Sequence, residues 1–253
     1  MFYFEKINAK TILKSDLLKD VDAFFTTRDI CICDKGVNID TKGINNNKQI
    51  IANYLNISPK NLISPVQTHS ANIDIAIETR HDYPDCDALI LTEKNLGIFL
   101  NFADCTPIIL YDKKQNIGAI AHAGWRGTAQ KIAPLTVKKM IKDFGSTASD
   151  IVTVIGPAIG FCCYNVGEEV YEKLSKTVSN FEGLYKINHN SLSSEMKQVF
   201  VDLKNINKRQ LEEIGIKEID VCPYCTVHDN DKFFSYRNEN ATTKRHSAIL
   251  KLR

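Results

Sequence analysis

From residue 87 onward, apolar residues fall into short runs of strand length separated by polar turns. The runs "DALIL" (87–91), "GIFLNF" (97–102), "TPIILYD" (106–112) and "NIGAIAHAG" (116–124) predict four strands, and "DKKQN" predicts a hairpin-like turn between the last two. The period then lengthens. "TAQKIAPLTVKKMIKDFG" (128–145) carries apolar residues at helical spacing, with Thr128 as a plausible N-cap and Gly145 as a C-cap. A strand at "IVTVIG", a helix from about Glu168, a helix at "DLKNINKRQLEEIG" and strands at "KEIDV", "FFSYR" and "SAILKL" complete the pattern. Upstream, "DTKGINNNKQ" (40–49) predicts a loop running into the helix "QIIANYL". Neighbouring strands joined by a tight turn pair antiparallel, so the sheet is mixed and the class is α/β or α+β. No Pro/Gly/Ser-rich linker divides the sequence, and the expectation is one domain over residues 1–253.

Composition changes this picture mainly by exclusion. At 43% hydrophobic and 25% charged, the chain is neither disordered nor fibrous. A net charge of +2 without a Lys/Arg-rich block argues against a nucleic-acid partner. No apolar stretch approaches the roughly 20 residues of a membrane helix, and "MFYFEKINAK" lacks the apolar core of a signal peptide. The expectation is a soluble, cytoplasmic protein, monomer or homodimer, whose eight cysteines stay reduced. Most of those thiols then serve packing.

Three segments place a metal-ligating residue where a strand meets a loop: "SPVQTHSAN" (His69), "NFADCTPIIL" (Cys105) and "AIAHAGWRG" (His122). Two histidines and a cysteine suit zinc, and three protein ligands leave a fourth position open, as catalytic sites require. The same residues allow other readings. Cys105 and His122 could be a nucleophile and its base, with Asp104 or Gln67 orienting the imidazole. Hydrogen-bonded core histidines beside a buried thiol are the bland alternative. Arg126, next to Gly124 and Gly127 and beside the start of the predicted helix, is a candidate holder of phosphate. "VCPYCTVH" holds Cys222-x-x-Cys225 with His228 three residues on, but a second pair for a zinc ribbon is missing, which favours a structural role. In "GPAIGFCCYNVG", Cys162 and Cys163 are adjacent, so at most one is expected to face a site. His246 reads as a strand-edge residue.

Taken together, "QTHSANI", "DCDALILT", "ADCTPIILYD", "AIAHAGWRGT", "GPAIGFCCYNVG" and "FFSYR" resemble, in order and spacing, the YfiH-type family. Its members have been called laccase-domain or multicopper polyphenol oxidases, purine nucleoside phosphorylases and peptidoglycan editing factors. The resemblance runs from about Phe24 to Leu250. It implies a four-layer α/β/β/α fold with mixed sheets, related to cysteine hydrolases, and a zinc held by His69, Cys105 and His122. The implied activities are phosphorolysis of adenosine, inosine, guanosine and methylthioadenosine, and deamination of adenosine. Arg28 and Asn38 match the family's S-T-R and S-L-N positions loosely, in a short loop without a Gly-Gly pair. Lys48 stands where many members carry arginine, and would meet phosphate as a point charge rather than a fork. Gln67 belongs to the Q-x-H motif.

A laccase cluster needs many more histidines than the six present, none in a His-x-His pair, although a single copper could occupy the triad. For deamination, zinc activates water near neutral pH, which suits attack at C6 of adenine. Phosphorolysis needs phosphate held against C1′ of the ribose, for which Arg126, helped by Arg28 or Lys48, is the candidate; Asp104 is a candidate for proton transfer. Two alternatives stay open: a cysteine amidase acting through Cys105 on peptidoglycan precursors, and a zinc-binding protein without turnover.

Overall fold

Two strands buried along their whole length organise the rest of the chain. The computed structural model describes residues 1–189 and 197–253. In chain order the strands are β1 (Phe2–Ile7), β2 (Lys10–Ser15), β3 (Asp22–Thr26), β4 (Cys33–Asp34), β5 (Leu62–Ile63), β6 (Ile73–Ala76), β7 (Ala88–Leu91) and β8 (Gly97–Phe102). They continue with β9 (Thr106–Asp112), β10 (Ile117–Ala123), β11 (Ile151–Ile155), β12 (Asn165–Val166), β13 (Tyr185–His189), β14 (Lys197–Val201), β15 (Glu218–Val221) and β16 (Lys244–Lys251). The helices are α1 (Thr41–Tyr54), α2 (Trp125–Ala129), α3 (Ile132–Phe144), α4 (Glu168–Ser175) and α5 (Leu203–Glu212).

The central pair, β9 and β10, forms the expected hairpin, and the Asp112 carboxylate closes its turn by accepting from the amides of Lys114 and Gln115. Around it a six-stranded sheet runs β15-β11-β9-β10-β7-β6, antiparallel within and parallel at both ends. A second sheet runs β1-β2-β3-β16-β8-β5, with β4 on the side of β16. Strand alternation sorts the residues between two faces. Leu89, Leu91, Ile109, Tyr111 and Ile120 meet Phe25, Leu100 and Leu250 of the other sheet, whereas Ile90, Ile108, Leu110 and Ala121 meet Val137 and Met140 of α3 and Leu211 of α5. On the far side of the second sheet, Ile50, Ile51 and Leu55 of the α1 segment cover Phe24, Phe99 and Ile249. Each such aliphatic residue removed from water contributes roughly 1.5–3 kcal/mol. The result is the four-layer α/β/β/α arrangement with mixed sheets. A small third sheet, β12-β14-β13, packs with α4 beside Trp125. Among the described residues no helix is long and apolar enough to cross a membrane.

Four local expectations are corrected. Residues 40–49 are not a loop: the Asp40 side chain accepts from the Gly43 amide and starts α1 at Thr41, so a cap outweighs the poor helix propensity of the asparagines. Thr128 is not an N-cap, because helix already begins at Trp125 and breaks at Lys131, which is left-handed at φ 60°. Its hydroxyl instead accepts from Asn207 of α5. "FFSYR" is not a strand. Phe233, Phe234 and Ser235 are all buried in succession, and the amides of Ser235 and Arg237 bond the carboxylates of Glu239 and Asp104 rather than a ladder. Gly145, by contrast, caps α3 in the left-handed conformation as expected.

The fourth correction concerns His246, which is fully buried inside β16 between the rings of Phe102 and Phe233. Among the described residues neither ring nitrogen makes a hydrogen bond of ordinary geometry, although the Pro157 backbone lies close enough to oppose the effect of burial. Burial drives its pKa down to about 3; Arg245 and Arg28 push the same way and Glu239 opposes them. Unfolded histidine titrates near 6.5, so the unfolded chain takes up the proton first as pH falls. Stability is therefore complete above about pH 6.5 and declines toward pH 3, by at most about 1.4 kcal/mol per pH unit from this residue. A His246→Leu variant is expected to show a flatter dependence of urea midpoint on pH between 7 and 5. Equal slopes in the two proteins would contradict this assignment.

Candidate metal centre and pocket

One buried carboxylate builds the site. Asp87, entirely buried at the entry to β7, accepts from the backbone amides of Thr68, His69 and Ser70 at 3.1, 3.1 and 2.7 Å and from the Ser70 hydroxyl at 2.8 Å. Its Oδ1 also lies 2.7 Å from His122 Nδ1. These bonds keep it ionised, well below the usual carboxylate range, even though burial pushes the other way. The loop it gathers holds His69 at φ 66°, a strained backbone for a residue with a Cβ. Asp87 thus fixes both histidines. The imidazole orienter is this residue, not Asp104 or Gln67 as the sequence suggested. Gln67 instead exchanges two hydrogen bonds with the Asn101 backbone, and Asp104 accepts from Thr226 and the Arg237 amide.

With Nδ1 of His122 engaged, its Nε2 is free to face Cys105. Ligand atoms of His69, Cys105 and His122 all lie within 4.8 Å of one another, and Cys105 Sγ is 3.7 Å from His69 Nε2. The two imidazoles meet edge to face, with centroids 4.8 Å apart. Burial would push the Cys105 thiol up, but the neighbouring imidazoles bring it down to about 6. Burial would likewise lower His122, yet Cys105 and Asp87 raise it to about 9. Gly124 makes the assembly possible: a Cβ there would meet Cys105 Sγ at 3.0 Å and His69 Cδ2 at 3.1 Å. The donor set of two imidazoles and one thiolate, with a carboxylate behind one imidazole, fits a divalent metal of the zinc or copper kind.

The triad opens into a pocket of about 400 Å³. Four cations line it, Lys35, Arg126, Arg237 and Arg245, along with Tyr164 and Tyr236. Among the described residues none of these four is ion-paired with a carboxylate. Arg126 also lies over the Trp125 ring at 4.3 Å. Gln67 is on the wall, but Arg28, Asn38 and Lys48 are not among the lining residues. Arg28 forms a bidentate pair with Glu239 at 2.9 and 3.0 Å and stacks on Phe234 at 4.4 Å. Lys48, on α1, sits over the Phe99 ring of β8, and Asn38 is exposed.

The family described as multi-copper polyphenol oxidoreductase laccase matches residues 33–253. The chain belongs to this family, the YfiH-type family. The YfiH-type chain is 34% identical over 211 residues to a purine nucleoside phosphorylase of Clostridium acetobutylicum, covering 82% of this chain and 83% of that one. It is 29% identical over 242 residues to an adenosine deaminase from an unknown prokaryotic organism, covering 87% and 89%. A crystal structure of the Bacillus licheniformis hypothetical protein YfiH superposes with a TM-score of 0.86 at 29% identity, over 99% of both chains.

The buried carboxylate behind His122 and several residues that line the pocket of this YfiH-type chain lie inside motifs that do not mark them individually. Asp87 is in "DCDALILT", Tyr164 in "CCYNVG", and Tyr236 and Arg237 in "FFSYR". Arg245 and Lys35 carried no motif. Nor did the cysteines divide as expected. Cys222 is buried and apart, its thiol pushed up to about 12 by burial, while Cys162 and Cys163 both come within 3.4 Å of the His228 ring.

Proposed function

We propose that this protein is a metal-dependent purine nucleoside enzyme. It cleaves adenosine, inosine, guanosine and methylthioadenosine with phosphate, and deaminates adenosine. The observation that carries this reading is the juxtaposition of the His69–Cys105–His122 triad with four cations in one pocket. The names of its relatives, purine nucleoside phosphorylase and adenosine deaminase, support it. The triad would hold zinc, or copper at the same place, and such an ion supplies Lewis acidity on the pocket side.

The chain's own residues do the rest. Arg126, with Arg237 and Arg245, neutralises phosphate and holds it for attack on C1′ of the ribose, as the C1′–N9 bond breaks and its electron pair leaves with the base. Tyr164 and Tyr236 offer aromatic faces for the purine. Arg28 acts at one remove, by pinning Glu239 and so the turn that carries Tyr236 and Arg237. Gln67 ties the loop before His69 to β8.

The test is release of hypoxanthine from inosine. It should require phosphate and stop on chelation. Arg126→Gln is expected to raise the phosphate KM by about tenfold or more, roughly the 1.4 kcal/mol or more of a charged hydrogen bond, with the inosine KM little changed. A change confined to the inosine KM would remove Arg126 from the phosphate site.

A second reading is favoured by the Asp87–His122–Cys105 array, which also has the form of a carboxylate–imidazole–thiol nucleophile system. It makes the protein a cysteine amidase acting on peptidoglycan precursors. Amide hydrolysis that survives chelation, together with trapping of Cys105 by an electrophile, would favour it over the nucleoside reading. Copper oxidase activity is the least supported, given six histidines without a His-x-His pair. A soluble, cytoplasmic setting fits substrates of this kind.

A further inference from the structure

A second set of soft donors lies behind the pocket wall. Cys162, Cys163, Cys225 and His228 bring three sulfurs and an imidazole within 4.8 Å of one another. We propose that these four residues form a second metal centre, a structural zinc site with a Cys3His ligand set. No group of the proposed nucleoside chemistry is shared with it.

Geometry and chemistry both point this way. In a tetrahedral zinc site sulfurs lie about 3.7 Å apart, given Zn–S bonds of about 2.3 Å, which falls inside the 4.8 Å span that holds all four donors here. Cys162 Sγ is 3.4 Å from Nδ1 of His228, and Cys163 Sγ is 3.4 Å from Nε2. One nitrogen must turn to the common centre, and the exposed His228 ring has room to do so. Cys225-x-x-His228 forms a tight turn in which the amides of Val227 and His228 face the Cys225 sulfur, while the Gly160 amide donates to it at 3.1 Å. Amides converging on a sulfur stabilise a ligating thiolate. Gly160 is required by the same packing: a Cβ there would meet Cys162 Sγ at 3.0 Å and Cys225 Sγ at 3.2 Å. Four protein donors close the coordination shell, which is the mark of a structural rather than a catalytic site.

The location gives the ion a task. The two loops are already stitched where Ala158 pairs with Cys225 and the Thr226 amide donates to the Ala158 carbonyl at 3.1 Å. The Thr226 hydroxyl and the Ile159 amide then bond Asp104, next to the ligand Cys105. Ile159 and Tyr164 line the pocket itself. A metal at the second centre would rivet the back of the pocket.

The experiment is cobalt(II) titration of the full chain, read by its absorption spectrum. The unaltered protein should take up two equivalents. A Cys105→Ala variant should keep one, with tetrahedral d–d bands and thiolate charge-transfer intensity for three sulfurs. In that background Cys162→Ser should lower the intensity to two sulfurs, and His228→Ala should weaken binding by about tenfold or more. The proposal is overturned if folded Cys105→Ala binds no cobalt, or if its spectrum is unchanged by Cys162→Ser and His228→Ala. A Cys162–Cys225 disulfide in protein purified under reducing conditions would overturn it equally.

Discussion

Asp87→Ala is expected to unfold the site and destabilise the whole protein, by about 3 kcal/mol or more. The carboxylate is fully buried and accepts three backbone amides, the Ser70 hydroxyl and the His122 imidazole. Truncating it strands those donors without water, and each unsatisfied buried group costs about 1–3 kcal/mol. Asp87→Asn separates stability from function. An amide can still accept some of these bonds, but its NH2 faces donors and it no longer holds a negative charge behind His122. Metal affinity at the triad should fall by about 10–100-fold, the usual result of losing a carboxylate behind a ligating histidine. Urea denaturation and competitive metal titration give the two numbers. An Asp87→Asn protein with unaltered metal affinity would show that the carboxylate serves the loop alone.

Cys105→Ala should have the opposite profile. Cys105 is small and only half-buried, so its loss is expected to cost about 1 kcal/mol of stability. Turnover of inosine with phosphate should nevertheless fall by roughly 10³-fold, about 4 kcal/mol in kcat/KM. The pair of variants therefore distinguishes a residue that builds the site from one that acts in it. A Cys105→Ala enzyme with near-normal nucleoside turnover would refute the role given to the triad. Steady-state kinetics on inosine decide the matter.

Cys105 and His122 were legible because each ends an apolar run where strand gives way to loop, a place where a polar side chain needs a reason, whereas His69, in the polar stretch "QTHSAN", was marked only by the resemblance of its Q-x-H motif. The hairpin of β9 and β10 was legible for the same cause, two uninterrupted apolar stretches around a polar turn. Asp87 was not. In sequence it is a polar residue ahead of a strand, and its role exists only once the loop of Thr68 to Ser70 folds over it. "FFSYR" has the composition of a strand, but hydrogen bonds from its Ser235 and Arg237 amides to the carboxylates of Glu239 and Asp104, one of them over a hundred residues away, settle it as a turn. Arg237, Arg245 and Lys35 come to the pocket from separate segments, so no local pattern marks them. The thiol group around His228 hid for a related reason. The eye pairs Cys222 with Cys225, whereas the fold pairs Cys225 with two cysteines some sixty residues earlier.

The central claim is that one divalent ion sits among His69, Cys105 and His122. Anomalous diffraction at the zinc absorption edge, on crystals of the full chain grown with zinc, tests it most directly. A peak within bonding distance of Cys105 Sγ, His69 Nε2 and His122 Nε2 is predicted. Zinc-loaded crystals with no peak there, and with the three donors turned away from one another, would contradict the account.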